Sequence, residues 1–178
     1  GIIYSSIGVN GASIPSFLKC NLFEKQMEVL QPDLVIISLG TNDAYSRKFS
    51  PSYFESNYRD LVEEIRKAAP DVSFIFTVPN DCYLYRRYRN YNTAKQAEVI
   101  NRLAKEYDAA VWDLYQIMGG LGSSHTWLQQ GMMKRDKIHF TYKGYILKGQ
   151  LFYEAFKRAY GEHLDEKPIR EFINSEDS

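Results

Sequence analysis

Two polar side chains near the end of the sequence have the types and the spacing of an acid–base pair. Asp136 and His139 stand three residues apart, directly before a stretch of helical period. A turn at that spacing lets the carboxylate reach the imidazole, fix its tautomer and stabilise the imidazolium that forms when the ring takes a proton. Such an imidazole activates a hydroxyl nucleophile. A lone Asp-x-x-His is also typical of a helix cap, here for the helix that begins at Thr141.

Two other positions carry donors suited to an oxygen that gains negative charge. Asn42, within Gly-Thr-Asn-Asp, offers a side-chain amide, and Gly11 offers a backbone N–H. Each motif alone has a plainer interpretation, because Gly-Thr-Asn-Asp is a common turn and a glycine suits positive φ. Both motifs follow apolar runs of strand length. Their order along the chain, followed by Asp-x-x-His, favours one site over three unrelated turns.

Apolar runs of strand length alternate with stretches of helical period. This pattern predicts a three-layer α/β/α, flavodoxin-like fold with a doubly wound parallel sheet, in which ligands bind at the carboxyl ends of the strands. The predicted strands are residues 2–7, 34–39, 72–78 and 109–114, and the predicted helices are residues 13–30, 51–69, 93–107 and 142–160. We expect one domain over residues 1–164 and a polar tail over residues 165–178 that frays.

Composition narrows the classes of function. The 22 Lys and Arg residues balance the 22 Asp and Glu residues, so no net field attracts nucleic acid or an anionic membrane. No apolar run has the length of a membrane span. Cys20 and Cys82 lack the spacing of a metal site. We therefore expect no nucleic-acid partner, no membrane span, no metal and no cofactor.

Aromatic and basic residues alternate after the third predicted strand. They are Tyr83, Tyr85, Arg86, Arg87, Tyr88, Arg89 and Tyr91. Rings and guanidinium groups in this pattern suit a sugar face or an acidic polymer, although a solvated loop is an equally good explanation. Base stacking on single-stranded nucleic acid is disfavoured by the zero net charge. We take Tyr83 as a candidate substrate contact, together with Trp127, for which a packing role is the alternative.

Three segments of the chain resemble the sequence blocks of the SGNH (GDSL-like) serine ester hydrolases, which carry Ser, Gly, Asn and His. Residues 9–12, Val-Asn-Gly-Ala, resemble the glycine block, and residues 39–43, Leu-Gly-Thr-Asn-Asp, resemble the asparagine block. Residues 136–145 resemble the Asp-x-x-His block with its trailing Thr and Gly. The order and spacing match over nearly the whole chain.

The resemblance assigns a role to each candidate residue. It implies that His139 is the general base of a catalytic triad and that Asp136 orients it. It also implies that Gly11 and Asn42 are the donors of the oxyanion hole. The expected activity is therefore the hydrolysis of a carboxylic ester through a serine nucleophile, with no cofactor.

The Gly-Asp-Ser block of that family is absent from the sequence. In the family it ends a central strand that lies between the first two strands predicted here. No elbow-like context surrounds the candidate replacements, which are Ser5, Ser6, Ser38, Ser123 and Ser124. We expect this chain to be a C-terminal portion without the nucleophile-bearing strand, and to be inactive alone. The missing N-terminal segment or another chain would then complete the sheet.

One subgroup, the peptidoglycan O-acetyl esterases and their relatives, resembles the chain in Gly-Val-Asn-Gly-Ala, Gly-Thr-Asn-Asp-Ala and His-Phe-Thr-x-x-Gly-Tyr. Its members can carry an accessory β-rich domain between the serine and glycine blocks. The resemblance implies an acetyl esterase of an acylated carbohydrate that is secreted, periplasmic or in the cell envelope, with an acyltransferase as close neighbour. Two other readings stay open: a non-catalytic carbohydrate-binding module, and a flavodoxin-like small-ligand binder, which would need a phosphate loop that is not found here.

Overall fold

A parallel sheet of apolar strands forms the middle layer of the computed structural model, which describes the backbone of residues 2–176 and the side chains of residues 2–162. The sheet contains β1 (Leu34–Ile37), β2 (Ser73–Val78) and β5 (Ala110–Asp113), and a separate antiparallel hairpin contains β3 (Tyr83–Leu84) and β4 (Tyr88–Arg89). The strand order is β1-β2-β5, and both pairings are parallel. The carboxyl ends of the three strands therefore lie at one edge of the sheet.

Helices cover both faces of the sheet. They are α1 (Ile14–Leu18), α2 (Phe23–Leu30), α3 (Thr41–Ala44), α4 (Pro51–Ala68), α5 (Tyr91–Glu106), α6 (Leu114–Met118), α7 (Ser123–Gln129) and α8 (Tyr142–Glu176). Phe74 and Phe76 point to the face covered by α1, α2, α4 and α5. Ile75 and Trp112 point to the opposite face, which α7 and α8 cover. This alternation confirms the predicted three-layer α/β/α fold.

The two helices that connect the strands begin and end close to the predicted positions, because residues that favour helix ends stand there in the sequence. Ser50 accepts a hydrogen bond from the Tyr53 amide, and Pro51 occupies the first turn of α4. Pro70 then follows the end of that helix. Asn90 caps α5 by accepting from the Asn92 amide. The helices predicted over residues 51–69 and 93–107 are therefore confirmed to within two residues.

The predicted strand over residues 2–7 is wrong. Residues 2–9 have no regular secondary structure, and Ile2 and Ile3 are 98% and 94% exposed. A strand exists only where a neighbour accepts its backbone hydrogen bonds, and among the described residues none lies beside this segment. The apolar pattern is present, but its pairing partner is not.

The predicted helix over residues 13–30 is broken in two, α1 and α2, around residues 19–22. Phe17 and Phe23 pack edge to face, with ring centroids 5.8 Å apart. Six residues along a continuous helix turn the side chain by about 600°, which would put the two rings about 120° apart. The break lets both rings enter the same core.

Further elements differ from the sequence prediction. The segment after β2, for which a solvated loop is one of the two sequence interpretations, forms the β3–β4 hairpin, and the predicted loop and short helical piece after β5 form the two helices α6 and α7. The last helix begins at Tyr142 as predicted and continues to Glu176. The predicted polar tail, residues 165–178, lies outside the residues whose side chains the structure describes. In the described part of the chain, no helix has the length and apolar character that crossing a membrane requires.

The outer edge of β1 is open. Within the described residues its only strand neighbour is β2, so the backbone groups on its other side are unpaired. Leu34 and Ile36 point to the same face as Ile75 and are 37% and 40% exposed, whereas Ile37 on the opposite face is buried. The sheet thus ends at β1 with unpaired backbone and partly uncovered apolar side chains.

Two glycines of α8 provide a matched pair of substitutions. A methyl group on Gly144 would overlap the backbone carbonyl oxygen of Met132, whereas a methyl group on Gly149 meets nothing within 4 Å. We expect Gly144→Ala to lower the free energy of unfolding by about 2 kcal/mol or more, because backbone must move. Gly149→Ala should raise it by about 0.5–1 kcal/mol through helix propensity. Urea unfolding of both variants measures this, and equal effects would contradict it.

Candidate active site

Asp136 and His139 form the predicted pair. Asp136 Oδ2 lies 3.0 Å from His139 Nδ1, and Asp136 Oδ1 accepts hydrogen bonds from the amides of Ile138 (2.9 Å) and His139 (3.0 Å). The imidazole side chain is 58% exposed, which leaves Nε2 open to a partner. The Asp-x-x-His segment does not cap α8, because Thr141 Oγ1 accepts from the Gly144 amide instead. The arrangement is that of a carboxylate orienting a histidine.

Competing effects act on the pKa of Asp136. Partial burial raises it, while the amides of His139 and Ile138 and the imidazole of His139 lower it. The hydrogen bonds prevail, and the pKa lies below its ordinary value. Asp136 is therefore ionised at neutral pH and can hold a proton on the Nδ1 side of the ring.

Bonds from the strand ends hold the segment that carries this pair. The buried amide of Asn80, two residues after β2, donates to the Ile138 carbonyl at 3.2 Å. The Tyr83 amide donates to the carbonyl of Lys137 at 3.1 Å. Lys137 has a φ of +56°, in the left-handed region. These two bonds attach the pair to the carboxyl end of β2.

Asn42 and Gly11 approach each other at the same edge of the sheet. Asn42 Nδ2 donates to the Ala12 carbonyl at 2.8 Å, and the turn around Gly11 closes through the Ala12 amide and the Val9 carbonyl at 3.1 Å. Gly11 has a φ of +78°, which favours glycine. A side-chain amide has two hydrogens, so Asn42 keeps a second one for an external acceptor. Both residues are exposed.

The loop with Asn42 is attached to the first half of α5 through side-chain amides. Asn90 and Asn92 donate to the Ala44 carbonyl at 3.0 and 3.1 Å, and Gln96 donates to the Gly40 carbonyl at 2.7 Å. Gly40 has a φ of +121°, and a Cβ there would overlap the Gln96 amide. A larger residue at position 40 would strain the backbone and displace the Gln96 amide from its carbonyl partner, so this position favours glycine.

Asp43 links the same loop to α1. Its carboxylate accepts from the amide of Ile14, the first residue of that helix, at 3.2 Å. Burial raises the pKa of Asp43, and the bond from Ile14 opposes that shift. Asn42 and Asp43 together join the glycine turn and α1 to the carboxyl end of β1.

Tyr83 and Trp127 are largely enclosed by protein. Tyr83 is 8% exposed, with Lys137 Nζ 4.2 Å from the centre of its ring. Trp127 is 9% exposed and packs edge to face on Phe140, the neighbour of His139, at 5.8 Å between centroids. Both rings support the segment with the Asp–His pair, and their contact with a substrate stays a prediction.

No serine hydroxyl lies within hydrogen-bonding distance of the His139 ring in the described residues. Ser124 is buried and donates to Asp81 Oδ2 at 2.7 Å, which also accepts from the amides of Gly122 and Ser124. Burial raises the pKa of Asp81, against these bonds. Ser124 therefore holds the start of α7 and is not aimed at an imidazole.

Sequence reasoning missed the amide side chains that hold both loops, namely Asn80, Asn90, Asn92 and Gln96. Gln96 carried a usable signal. It lies three residues after Thr93 and four before Ile100, on the buried face of α5, where a polar residue needs a buried partner. Asn80 had no such signal, because polar residues after a strand are common in turns.

The sequence matches the profile of the GDSL-like lipase/acylhydrolase family over residues 2–147. The chain belongs to that family. This match confirms the resemblance predicted from the sequence. In this GDSL-like protein the Asp–His pair and the Asn42 loop lie at the carboxyl ends of the strands. Comparison with curated proteins gave no match.

Solved structures of similar fold include three hydrolases. A peptidoglycan O-acetylesterase has a TM-score of 0.80 and 24% identity, over 87% of this chain and 46% of its own. A lipase/acylhydrolase from Enterococcus faecalis has a TM-score of 0.65 and 24% identity, and the match covers 84% of this chain and 72% of its own. An acetyl xylan esterase has a TM-score of 0.66 and 16% identity, and the match covers 84% of this chain and 78% of its own. The GDSL-like chain thus spans about half the length of the first.

Asn80→Leu should loosen the segment with the Asp–His pair, because the Ile138 carbonyl loses its buried donor. We expect faster hydrogen exchange at the Ile138 and His139 amides, beyond any change in global stability. Asn101→Leu is the control, since Asn101 bonds Ala97 and Asp113 and does not contact the segment. Similar exchange rates at these two amides in both variants would contradict the positioning role.

Asp136→Asn should change how stability depends on pH. Because the folded pKa of Asp136 is lowered, its contribution is fully present above the unfolded value, about 4, and is lost as pH falls through the folded value. The melting temperatures of wild type and variant should therefore differ more at pH 6 than at pH 3. Melts followed by circular dichroism test this, and a difference independent of pH would refute it.

Proposed function

We propose that this GDSL-like chain is the acid–base and oxyanion portion of a serine carboxylic ester hydrolase that removes acetyl groups from a carbohydrate. The observation that carries the proposal is the Asp136–His139 pair. Its Nδ1 side is occupied by a carboxylate and its Nε2 side is exposed, at the sheet edge that also bears Asn42. A histidine held in this way is suited to take a proton from a hydroxyl.

The proposed reaction has two halves. His139 Nε2 takes the proton of a serine hydroxyl as its oxygen bonds to the ester carbonyl carbon, and the carbonyl oxygen becomes negative. The free hydrogen of the Asn42 amide and the Gly11 N–H donate to that oxygen. The C–O bond of the ester breaks, and the sugar oxygen receives the proton from the imidazolium. Water then attacks the acyl-serine while His139 takes a proton from it, the bond between the acyl carbon and the serine oxygen breaks, and the imidazolium returns the proton to that oxygen, which releases acetate and restores the serine.

We propose that the serine arrives on a strand that pairs with the open edge of β1. Four observations support this. The backbone of β1 is unpaired on that side within the described residues, Leu34 and Ile36 are partly exposed there, and the strand-like segment 2–7 has no partner. The chain also matches only 46% of the peptidoglycan O-acetylesterase. The strand would belong to a preceding segment of the same protein or to another chain.

The proposed substrate class is supported by the names of two structural neighbours. Peptidoglycan O-acetylesterase and acetyl xylan esterase both name acetyl esters of polysaccharides. We therefore propose an acetylated polysaccharide as substrate and, from the first name, a location outside the cytoplasm, in the cell envelope or secreted. A carbohydrate-binding module without catalysis is the second candidate, favoured by the lack of a serine near His139 among the described residues.

Hydrolysis of p-nitrophenyl acetate tests the proposal on this chain and on a longer product of its gene that includes a Gly-Asp-Ser segment. We expect activity in the longer form alone. His139→Ala should lower its kcat by about a thousandfold or more. His125→Ala, an exposed histidine on α7, is the matched control and should leave activity unchanged.

Other outcomes each exclude part of the proposal. Activity in the 178-residue chain would mean that it contains its own nucleophile. Activity that survives His139→Ala would remove the assigned base. Inactivity of the longer form on acetyl esters would refute the esterase and favour the binding module.

A further inference from the structure

The β3–β4 hairpin, residues 83–89 (hereafter the Tyr-Arg hairpin), joins the two loops of the candidate active site. At its base the Tyr83 amide bonds the Lys137 carbonyl, two residues before His139, at 3.1 Å. At its turn the Tyr85 amide donates to the Tyr45 hydroxyl, three residues after Asn42, at 2.9 Å. The hairpin is therefore part of the rim around the site.

The turn of the hairpin has an uncommon conformation for its residues. Tyr85 and Arg86 have φ of +52° and +63°, and the Arg87 amide closes the turn on the Leu84 carbonyl at 3.1 Å. Turns with positive φ at both central positions favour Asn and Gly, because a side chain there costs free energy. The bond to the Tyr45 hydroxyl holds the turn in this state. Its effect is to present a ring and a guanidinium group to solvent.

Two exposed rings of the hairpin are flanked by arginines. Tyr85 and Tyr88 are 54% and 53% exposed. The guanidinium of Arg47 lies 5.0 Å from the centre of the Tyr85 ring, and that of Arg87 lies 5.6 Å from the centre of the Tyr88 ring. Each ring thus has a guanidinium group over it, and the Tyr85 ring also lies 6.1 Å from the Tyr45 ring, yet about half of each tyrosine stays exposed. A partly exposed ring combined with a positive charge suits a sugar unit that bears an anion.

The arginines around the hairpin are not neutralised by the protein. Within the side chains that the structure describes, Arg47, Arg86 and Arg87 form no salt bridge. By contrast, Arg59 and Arg102 on α4 and α5 each pair with a glutamate. The neutral net charge of the chain thus conceals a local positive rim.

Carboxylates on the neighbouring loops are already committed to other groups. Asp43 accepts from the Ile14 amide, Asp81 accepts from the amides at the start of α7, and Asp136 holds His139. None of these three is available to pair with the hairpin guanidinium groups. An anion from outside the protein is therefore the natural partner.

We propose that the Tyr-Arg hairpin binds the polymer that carries the ester, and that this polymer is an acidic polysaccharide. Sugar faces stack on Tyr85 and Tyr88, and carboxylates of the polymer pair with Arg86 and Arg87. The inference rests on the proposed function in one respect, that the polymer bound at the rim is the substrate of the same site. A single-stranded nucleic acid, which also offers anions and stacking faces, is the alternative that the test below distinguishes.

Binding of this chain to two oligosaccharides, measured by isothermal titration calorimetry, tests the proposal. One probe is an oligogalacturonate, and the other is the same oligomer with its carboxyls reduced to alcohols. We expect the acidic probe to bind more tightly, with an affinity that falls as salt rises. Arg86→Gln with Arg87→Gln should weaken it about tenfold, as two exposed ion pairs allow. The control, Lys19→Gln with Arg158→Gln, removes two exposed charges away from the hairpin and should have no effect.

Tyr85→Ala separates stacking from charge. This variant should weaken the binding of both probes, whereas the double arginine variant should weaken the binding of the acidic probe alone. Equal binding of both probes to the wild type, or equal losses in the arginine variant and its control, would overturn the acidic class. Tighter binding of a single-stranded oligonucleotide of equal charge would replace the polysaccharide by nucleic acid. Melting temperatures equal to wild type show that the variants are folded.

The two proposals can fail separately. Binding needs no ester cleavage, so an inactive longer form that still binds the acidic probe through the hairpin would refute the esterase alone. Conversely, an active esterase whose chain does not distinguish the probes would refute the hairpin proposal alone.

Discussion

Buried side-chain amides that satisfy loop carbonyls hold the candidate active site together. The loops that follow β1 and β2 leave the sheet, and their carbonyls lose the strand partners that a ladder would supply. Gln96 on α5 and Asn90, which caps that helix, donate to the loop after β1, and Asn80 donates to the segment with the Asp–His pair. A hydrogen bond of this kind contributes little net free energy when made, but a carbonyl left without a donor costs more. The geometry of the site therefore depends on groups that do not touch a substrate.

Three aspartates at this sheet edge each accept hydrogen bonds from backbone amides. Asp43 accepts from the first residue of α1, Asp81 accepts from the start of α7, and Asp136 accepts from the amides of Ile138 and His139. Burial raises the pKa of the first two, whereas in Asp136 the hydrogen bonds outweigh burial and the pKa is lowered. Only the last is also bonded to a side chain that can move a proton. Similar local chemistry thus serves structure at two positions and orients a candidate base at the third.

Sequence reasoning reached the fold and the Asp–His pair because both depend on local pattern. Apolar runs predict buried strands, and Asp136 and His139 are close enough in sequence for one turn to join them. It failed where formation depends on a distant partner. Residues 2–7 have a strand pattern without a neighbour, and Gln96 is buried only because the Gly40 loop lies against α5. The break between α1 and α2 likewise follows from the packing of two rings, which no helical period reveals.

The hydrogen bond from Asn42 to the Ala12 carbonyl gives the molecule a thermodynamic linkage. It connects a proposed oxyanion donor to the turn at the end of the exposed segment 2–9. A partner strand that moved this turn would therefore move the amide as well, and by reciprocity an anion bound to the amide would act on the turn with the same coupling free energy. The proposed strand pairing and the proposed anion site would in this sense be coupled through one hydrogen bond.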